Sequence, residues 1–293
     1  MSPGKASGYL LVVFSLVSFP ALGHWQTSEH RIHTALPYRG GLLPERSQRF
    51  PNRPTIGLYG GKGTWLAGKE HLKMFFNEHE LNYQTLSTND LIEGKISAGT
   101  LPVLIMPGGE SSDYLRELGK AGETNIKSFV ETGGGYLGIC AGAFYAVSHR
   151  EGGNATGPYG IGLLDGTAYD GTALKTKPFI EGMMDFDMAL HPLVQGLGSL
   201  FRIVMFGGPS FRYTGEEKQK KHLDELAYFQ KIHEPAMIVF QFGKGRVFLS
   251  GPHLEIEEDR TDWGSEFYDP DSEWPILDRV VRFLGGDRTR GVN

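Results

Sequence analysis

Gly133-Gly134-Gly135-Tyr136-Leu137-Gly138-Ile139-Cys140-Ala141-Gly142-Ala143 is the stretch that decides how this 293-residue chain folds. Tyr136 to Ile139 reads as a buried strand, Ala141 to Ser148 can continue as a helix, and Cys140 sits at the join. A sharp strand-to-helix turn strains the backbone of its central residue and crowds the positions two before and two after it. Gly138 and Gly142 occupy those positions. The layout is that of a nucleophile elbow carrying Cys in place of Ser, and unpaired N–H groups at the helix start favour a thiolate there.

Outward from the elbow, short apolar runs alternate with amphipathic ones, the pattern of a parallel sheet wrapped by helices. Thr55 to Tyr59 predicts a first strand ending in Gly60-Gly61, and a helix follows over 65–78 with Leu66, Leu72, Met74 and Phe75 on one face. Leu81 to Leu86 predicts a second strand. Val103 to Met106 predicts a third, apolar throughout as a central parallel strand should be. A helical segment spans 125–131, and 151–175 reads as a Gly-rich loop. The charged run over 216–225 reads as a solvated face or turn. Residues 236–242 and 246–250 predict a strand pair joined by a Gly turn, and 274–284 a closing helix.

A thiolate performing acyl transfer needs a base and an acid to orient that base. His253-Leu254-Glu255 follows the strand 246–250 through Gly251-Pro252, and residues two apart in extended chain project to one side, so Glu255 can fix the imidazole tautomer. His191 and His233, each near a proline, read as loop residues. Backbone donors for an oxyanion are expected from Gly108 and Gly109, at the end of a central strand, together with Ala141. Phe206, Gly207 and Gly208 form either a substrate wall or an ordinary turn.

The strings Met106 to Gly109, Gly133 to Ala143 and Gly243 to Glu255 resemble the biotin-protein ligase N-terminal-like domain, a branch of the class I glutamine amidotransferase-like superfamily. The resemblance runs over about residues 54–286. It implies a flavodoxin-like three-layer α/β/α sandwich with a mostly parallel sheet, and a Cys-His-Glu triad carried onto Cys140, His253 and Glu255. Ala141 follows the nucleophile where the intracellular-protease-like branch commonly has His, so that branch fits less well. Leu254 stands where Pro is common. The chain leaves no stretch for a ligase catalytic domain, so biotinylation is not expected.

Composition bounds the rest. The chain is 40% hydrophobic and 22% charged with 41 Gly, 16 Pro and one Cys, which excludes collagenous, disordered and disulfide-stapled classes. A net charge of −5 without a basic block argues against nucleic acid as partner. Residues 1–23 read as a signal peptide: the apolar run Gly8 to Phe19 falls short of the ~20 residues a membrane span needs, and Ala21-Leu22-Gly23 suits cleavage. The expected location is therefore secreted or the secretory lumen, with no membrane association after cleavage. Residues 24–53 read as an extended arm, 54–286 as the domain and 287–293 as a tail. His30 and His33 lack further ligands at metal-binding spacing, so no metal and no cofactor are expected. Asn154-Ala155-Thr156 is an N-glycosylation acceptor. The expected function is a secreted thiol hydrolase acting on a small amide, γ-glutamyl or peptide-like bond. The alternative is a binding or regulatory module that keeps the fold without turnover.

Overall fold

A computed structural model describes residues 1, 40–50, 53–152, 155–170, 181–196, 199–261, 263, 267–268 and 271–286. The leader run, His30, His33, Asn154 and the 287–293 tail lie outside the described residues. The chain enters through a short edge strand, β1 (Arg46–Ser47). It then lays down β2 (Thr55–Tyr59), α1 (Leu66–Glu78), β3 (Asn82–Leu86), α2 (Thr88–Ile92), β4 (Val103–Met106), α3 (Ser111–Glu131), β5 (Gly135–Ile139) and α4 (Ala141–Ala146). A middle block contains β6 (Val147–Gly152), β7 (Ala155–Pro158), β8 (Leu164–Tyr169), β9 (Glu181–Met188), β10 (Leu200–Phe206), β11 (Ser210–Tyr213), α5 (Gly215–Lys220) and β12 (Asp224–Phe229). The hairpin β13 (Pro235–Phe242) and β14 (Gly245–Ser250) leads to the closing helix α6 (Trp274–Gly285).

Five strands in the order β3-β2-β4-β5-β14 run parallel and form the centre of the main sheet. This is the flavodoxin order, which reverses direction of travel between β2 and β4 and opens a crevice at the carboxyl ends of the strands. The sheet continues antiparallel through β13, β12, β9 and β10, and β1 closes the opposite edge antiparallel to β3. A second sheet, β11-β8-β6-β7, packs beside it.

The three layers follow from the period of two along each strand. Val103 and Ile105 of β4 join one core with Leu72, Phe75 and Phe76 of α1 and Leu277, Val280 and Val281 of α6. Leu104 and Met106 point the other way, into a core with Tyr114 and Ile126 of α3 and Phe144 of α4. A four-residue run that is apolar on every residue is thus buried on both faces.

Four stretches depart from the sequence reading. The helix expected over 125–131 begins already at Ser111, because Gly119, at φ 52°, kinks rather than ends it. The helix after the elbow stops at Ala146, and Val147 and Ser148 start β6. The supposed loop over 151–175 contains β7 and β8, with 171–180 outside the described residues. The charged run at 216–225 is partly the short helix α5, and β12 begins at Asp224.

The arm residues are tied to the domain by a buried cation. The Lys73 side chain is fully buried on α1, with Nζ 3.0 Å from Glu70 Oε1, 2.9 Å from Glu45 Oε1 and 3.2 Å from the Leu43 carbonyl oxygen. Leu43 N donates in turn to Glu70 Oε2 at 2.8 Å. The network holds Leu43 to Ser47 against the edge of the sheet. Breaking one partner of such a pair strands a buried charge at a cost of about 3–5 kcal/mol. Lys73→Met should therefore lower the unfolding free energy by about 3 kcal/mol or more in urea titration, with much of the loss recovered in the double variant Lys73→Met/Glu70→Leu.

Candidate active site

Strand ends converge on one corner of the crevice. β2 leads through a Gly-rich turn to Thr64 and Trp65, β4 ends in Pro107-Gly108-Gly109, β5 ends at Cys140, and β14 leads through Gly251-Pro252 to His253. Cys140 holds φ 49° and ψ −104°, a backbone state that a non-glycine residue adopts only under constraint. The constraint is visible on both sides. Cys140 N donates to the Ser250 carbonyl of β14 at 2.8 Å, and Gly142 N donates to the Pro107 carbonyl at 3.1 Å. A Cβ on Gly138 would lie 2.7 Å from the Gly142 carbonyl oxygen, and one on Gly142 would overlap the carbonyl of Met106. Both glycines are thus required by close approach of backbone.

The imidazole and the thiol side chain meet at Gly108. A Cβ there would lie 2.6 Å from His253 Cε1 and 3.5 Å from Cys140 Cβ, so only the missing side chain leaves room for both. His253 Nδ1 donates to Glu255 Oε1 at 2.8 Å, and both side chains are fully buried. Nε2 has no hydrogen-bond partner among the described residues. The Cys140 thiol, 3% exposed, donates to the Phe206 carbonyl at 3.5 Å. Burial works against a charged imidazole, but the Glu255 carboxylate and then the Cys140 sulfur outweigh it and hold His253 above its ordinary pKa.

On the rim, Thr64 and Gly109 form an isolated antiparallel bridge in which Trp65 N donates to the Gly108 carbonyl at 2.9 Å and Glu110 N to the Gly63 carbonyl at 2.7 Å. The second bond takes the N–H that follows Gly109, as the bond from Gly142 takes the N–H that follows Ala141. Gly109 itself sits at φ 142°.

Of the stretch Phe206 to Gly208, Phe206 supplies the carbonyl that meets the thiol, and its ring centroid lies 5.8 Å from that of His253. Gly207 turns the chain at φ 64°, and Gly208 packs on the Gly251 carbonyl, two residues ahead of His253, so these two serve as backbone contacts. His191 caps the turn at 192–194 through Leu193 N, and His233 is exposed.

Sequence reasoning missed three side chains. Trp65 packs edge-on against His253 with centroids 5.0 Å apart. Trp274 Nε1 donates to the Glu255 carbonyl at 3.1 Å, and His71 Nδ1 accepts from Glu257 N at 3.2 Å, so α6 and α1 together fix the backbone that carries Glu255. Burial first, with Arg260 adding to it against Glu255 and Asp259, pushes His71 down to about 4; it stays neutral and keeps Nδ1 as an acceptor. A signal for Trp65 was present: it follows the Gly-rich end of a parallel strand, where ligand crevices form.

Residues 56–273 match the family model of the biotin-protein ligase N-terminal domain. The chain belongs to that family. It is 28% identical over 175 residues to an uncharacterized protein of Chlamydia muridarum, covering 56% of this chain and 64% of that one. It is 26% identical over 207 residues to the biotin–protein ligase of Schizosaccharomyces pombe, covering 62% of this chain and 30% of the ligase. The match thus spans less than two thirds of either relative. It is also 28% identical over 191 residues to the pyridoxal 5'-phosphate synthase subunit PdxT of Deinococcus radiodurans, covering 63% of this chain and 86% of PdxT. Among solved structures, a glutamine amidotransferase is similar at TM-score 0.51 and 23% identity, over 78% of this chain and 98% of that one. A putative GMP synthase protein from Thermoplasma acidophilum is similar at TM-score 0.52 and 12% identity, over 79% of this chain and 94% of that one. The fold shared with these structures is the amidotransferase-like α/β sandwich.

The raised pKa of His253 has a consequence for stability. A group whose folded pKa exceeds its unfolded value, here about 6.5, contributes in full below that value, and the contribution is lost as pH rises through the folded pKa. Unfolding free energy from urea titration should fall by more than about 1 kcal/mol as pH rises from about 6.5 to 9, and Glu255→Gln should flatten that decline.

Proposed function

We propose that this domain is a thiol hydrolase of the amidotransferase-like kind, cleaving a small amide, γ-glutamyl or peptide-like bond through Cys140, His253 and Glu255. The observation that carries the reading is a His-Glu pair at 2.8 Å, sealed from water, that meets a cysteine held at positive φ across a single glycine. Support at the level of fold and family comes from the similar glutamine amidotransferase structure and from the relative named as a pyridoxal 5'-phosphate synthase subunit.

In this reading the thiol proton passes to Nε2 of His253 and the Cys140 sulfur attacks the carbonyl carbon, forming a C–S bond while the C=O π pair moves onto oxygen, which takes up negative charge. The N–H groups of Gly109 and Ala141 face that oxygen, with Gly108 keeping the approach clear. Collapse breaks the C–N bond, and His253 gives the proton from Nε2 to the departing amine. Glu255 holds Nδ1 so that Nε2 is the nitrogen facing the reaction. Water, deprotonated by the same nitrogen, then attacks the thioester, and the carboxylic acid leaves as the thiol is restored. No step needs a metal or cofactor. The apolar run at 8–19 supports export, and the substrate would then be an extracellular or lumenal small molecule or peptide.

A second reading, a binding module without turnover, draws on the burial of Cys140 and the contact of its thiol with the Phe206 carbonyl. Alkylation and turnover separate the two. Iodoacetamide should modify native Cys140 at neutral pH at least tenfold faster than free cysteine, and His253→Ala should slow this by ten- to a hundredfold. A panel of glutamine, γ-glutamyl and peptide amides should yield turnover that falls by about 10³-fold or more in Cys140→Ala. Labelling only after denaturation, with no turnover across the panel, would leave the binding module as the correct description.

A further inference from the structure

Gly68 is the third residue of α1, and nothing in its conformation calls for glycine. The helix Leu66–Glu78 runs through it, and it is not among the residues at positive φ. Glycine in a helix packs no side chain and is a poorer helix former than every residue but proline. What the position requires is close approach. A Cβ on Gly68 would lie 2.8 Å from Glu255 Oε1, 3.2 Å from Trp65 Cε3 and 3.7 Å from Glu255 Cδ, so the first of these contacts cannot form without something moving.

Oε1 is the oxygen that accepts from His253 Nδ1 at 2.8 Å, and Oε2 has no hydrogen-bond partner among the described residues, so a single bond orients the buried carboxylate. The parts around it are fixed. The Glu255 carbonyl accepts from Trp274 Nε1 at 3.1 Å, and Glu257 N donates to His71 Nδ1 at 3.2 Å, which holds the chain that carries the carboxylate. On α1 itself, Leu72, Phe75 and Phe76 are buried in the core and hold the helix in place. A methyl group at position 68 therefore acts on the part that is free to turn, the carboxylate, and takes Oε1 off the imidazole. The other titratable groups facing the pair are Cys140 after β5, His71 on α1 and Tyr114 on α3. None of them lies as near the added methyl as Glu255 and Trp65 do.

We propose that Gly68 is a positioning residue: its missing side chain lets Glu255 Oε1 reach His253 Nδ1, and through that bond it sets the reactivity of Cys140. Its place in catalysis rests on the hydrolase reading, whereas the effect itself is measurable without turnover. Burial opposes charge on His253 and the Glu255 carboxylate outweighs it, so displacing the carboxylate returns the imidazole towards neutrality. The thiolate then loses the cation that favours it.

In Gly68→Ala the titration of His253, followed by NMR on isotope-labelled histidine, should move down by about one pH unit or more, and alkylation of Cys140 by iodoacetamide at neutral pH should slow by about tenfold. Glu255→Asp withdraws the carboxylate by one methylene and keeps the Trp65 contact. In that background, adding Gly68→Ala should leave the titration in place and the alkylation rate within about twofold. Near-UV circular dichroism checks that each variant is folded; should Gly68→Ala lose its spectrum, recovery in the double variant carries the same conclusion. An unchanged titration and alkylation rate in folded Gly68→Ala, equal effects in the two backgrounds, or no recovery of fold in the double variant would overturn the proposal. Where an amide is turned over, Gly68→Ala should lower kcat by about tenfold with KM within about twofold. No turnover across the amide panel, with titration and alkylation changed as expected, would overturn the hydrolase reading and leave the role of Gly68 standing.

Discussion

The conformation of Cys140 is the constraint on which the rest of the molecule turns. A non-glycine residue at φ 49° and ψ −104° costs on the order of 1–3 kcal/mol and persists only where its surroundings over-determine it. Here the bond from Cys140 N to Ser250 comes from β14, and the bond from Gly142 N goes to Pro107 at the end of β4. These are the two strands that deliver His253 and Gly108. Strain at the cysteine and placement of its neighbours are therefore one problem with one solution. The sheet cannot pair in its observed register without bringing sulfur, imidazole and glycine together.

Helix α1 links this corner to the far edge of the domain. In its first turn Gly68 lies so close to Glu255 that a Cβ would sit 2.8 Å from Oε1, which puts the carboxylate beside the positive end of the helix dipole. One turn on, His71 holds the backbone at Glu257. Lys73 and Glu70 then clamp the incoming chain at Leu43 and Glu45. Two buried ionic pairs, His253 with Glu255 and Lys73 with Glu70, thus lie against one helix; bonds from Leu43 and Glu45 complete the shell of the second, whereas His253 Nε2 and Glu255 Oε2 of the first have no hydrogen-bond partner among the described residues.

How much of this was legible depended on whether local pattern or distant contact set each element. β2, β4 and the β13–β14 hairpin were readable because central strands buried on both faces are apolar throughout and end in Gly turns. The elbow was readable because close backbone approach leaves glycine as a signature at Gly138 and Gly142. The middle block was not. β7 and β8 carry Gly157 and Gly166, and few of their positions alternate cleanly, so pairing with β6 and β11 rather than intrinsic preference makes them strands. The first half of α3 was hidden by Gly119, which looks like a helix stop in sequence but is bridged by packing of Tyr114 and Leu118 against the core. His253 and Glu255 could be paired from their spacing, whereas His71 and Trp274, which hold their backbone from 186 and 19 residues away, leave no local trace.

The seal over the site bears on its chemistry rather than only on its stability. With His253 and Glu255 fully buried and Cys140 3% exposed, charge on the dyad interacts through protein rather than water, and each fixed donor and acceptor acts more strongly than it would at the surface. The same seal leaves the Phe206 carbonyl as the acceptor for the thiol. Nε2 of His253 has no partner among the described residues, and with charge on the ring favoured it is a donor, so the groups placed near the sulfur are an acceptor in Phe206 and a donor in His253. Both are held by the strands and turns that impose the strained backbone at Cys140, so the frame that carries the strain also sets the surroundings of the sulfur.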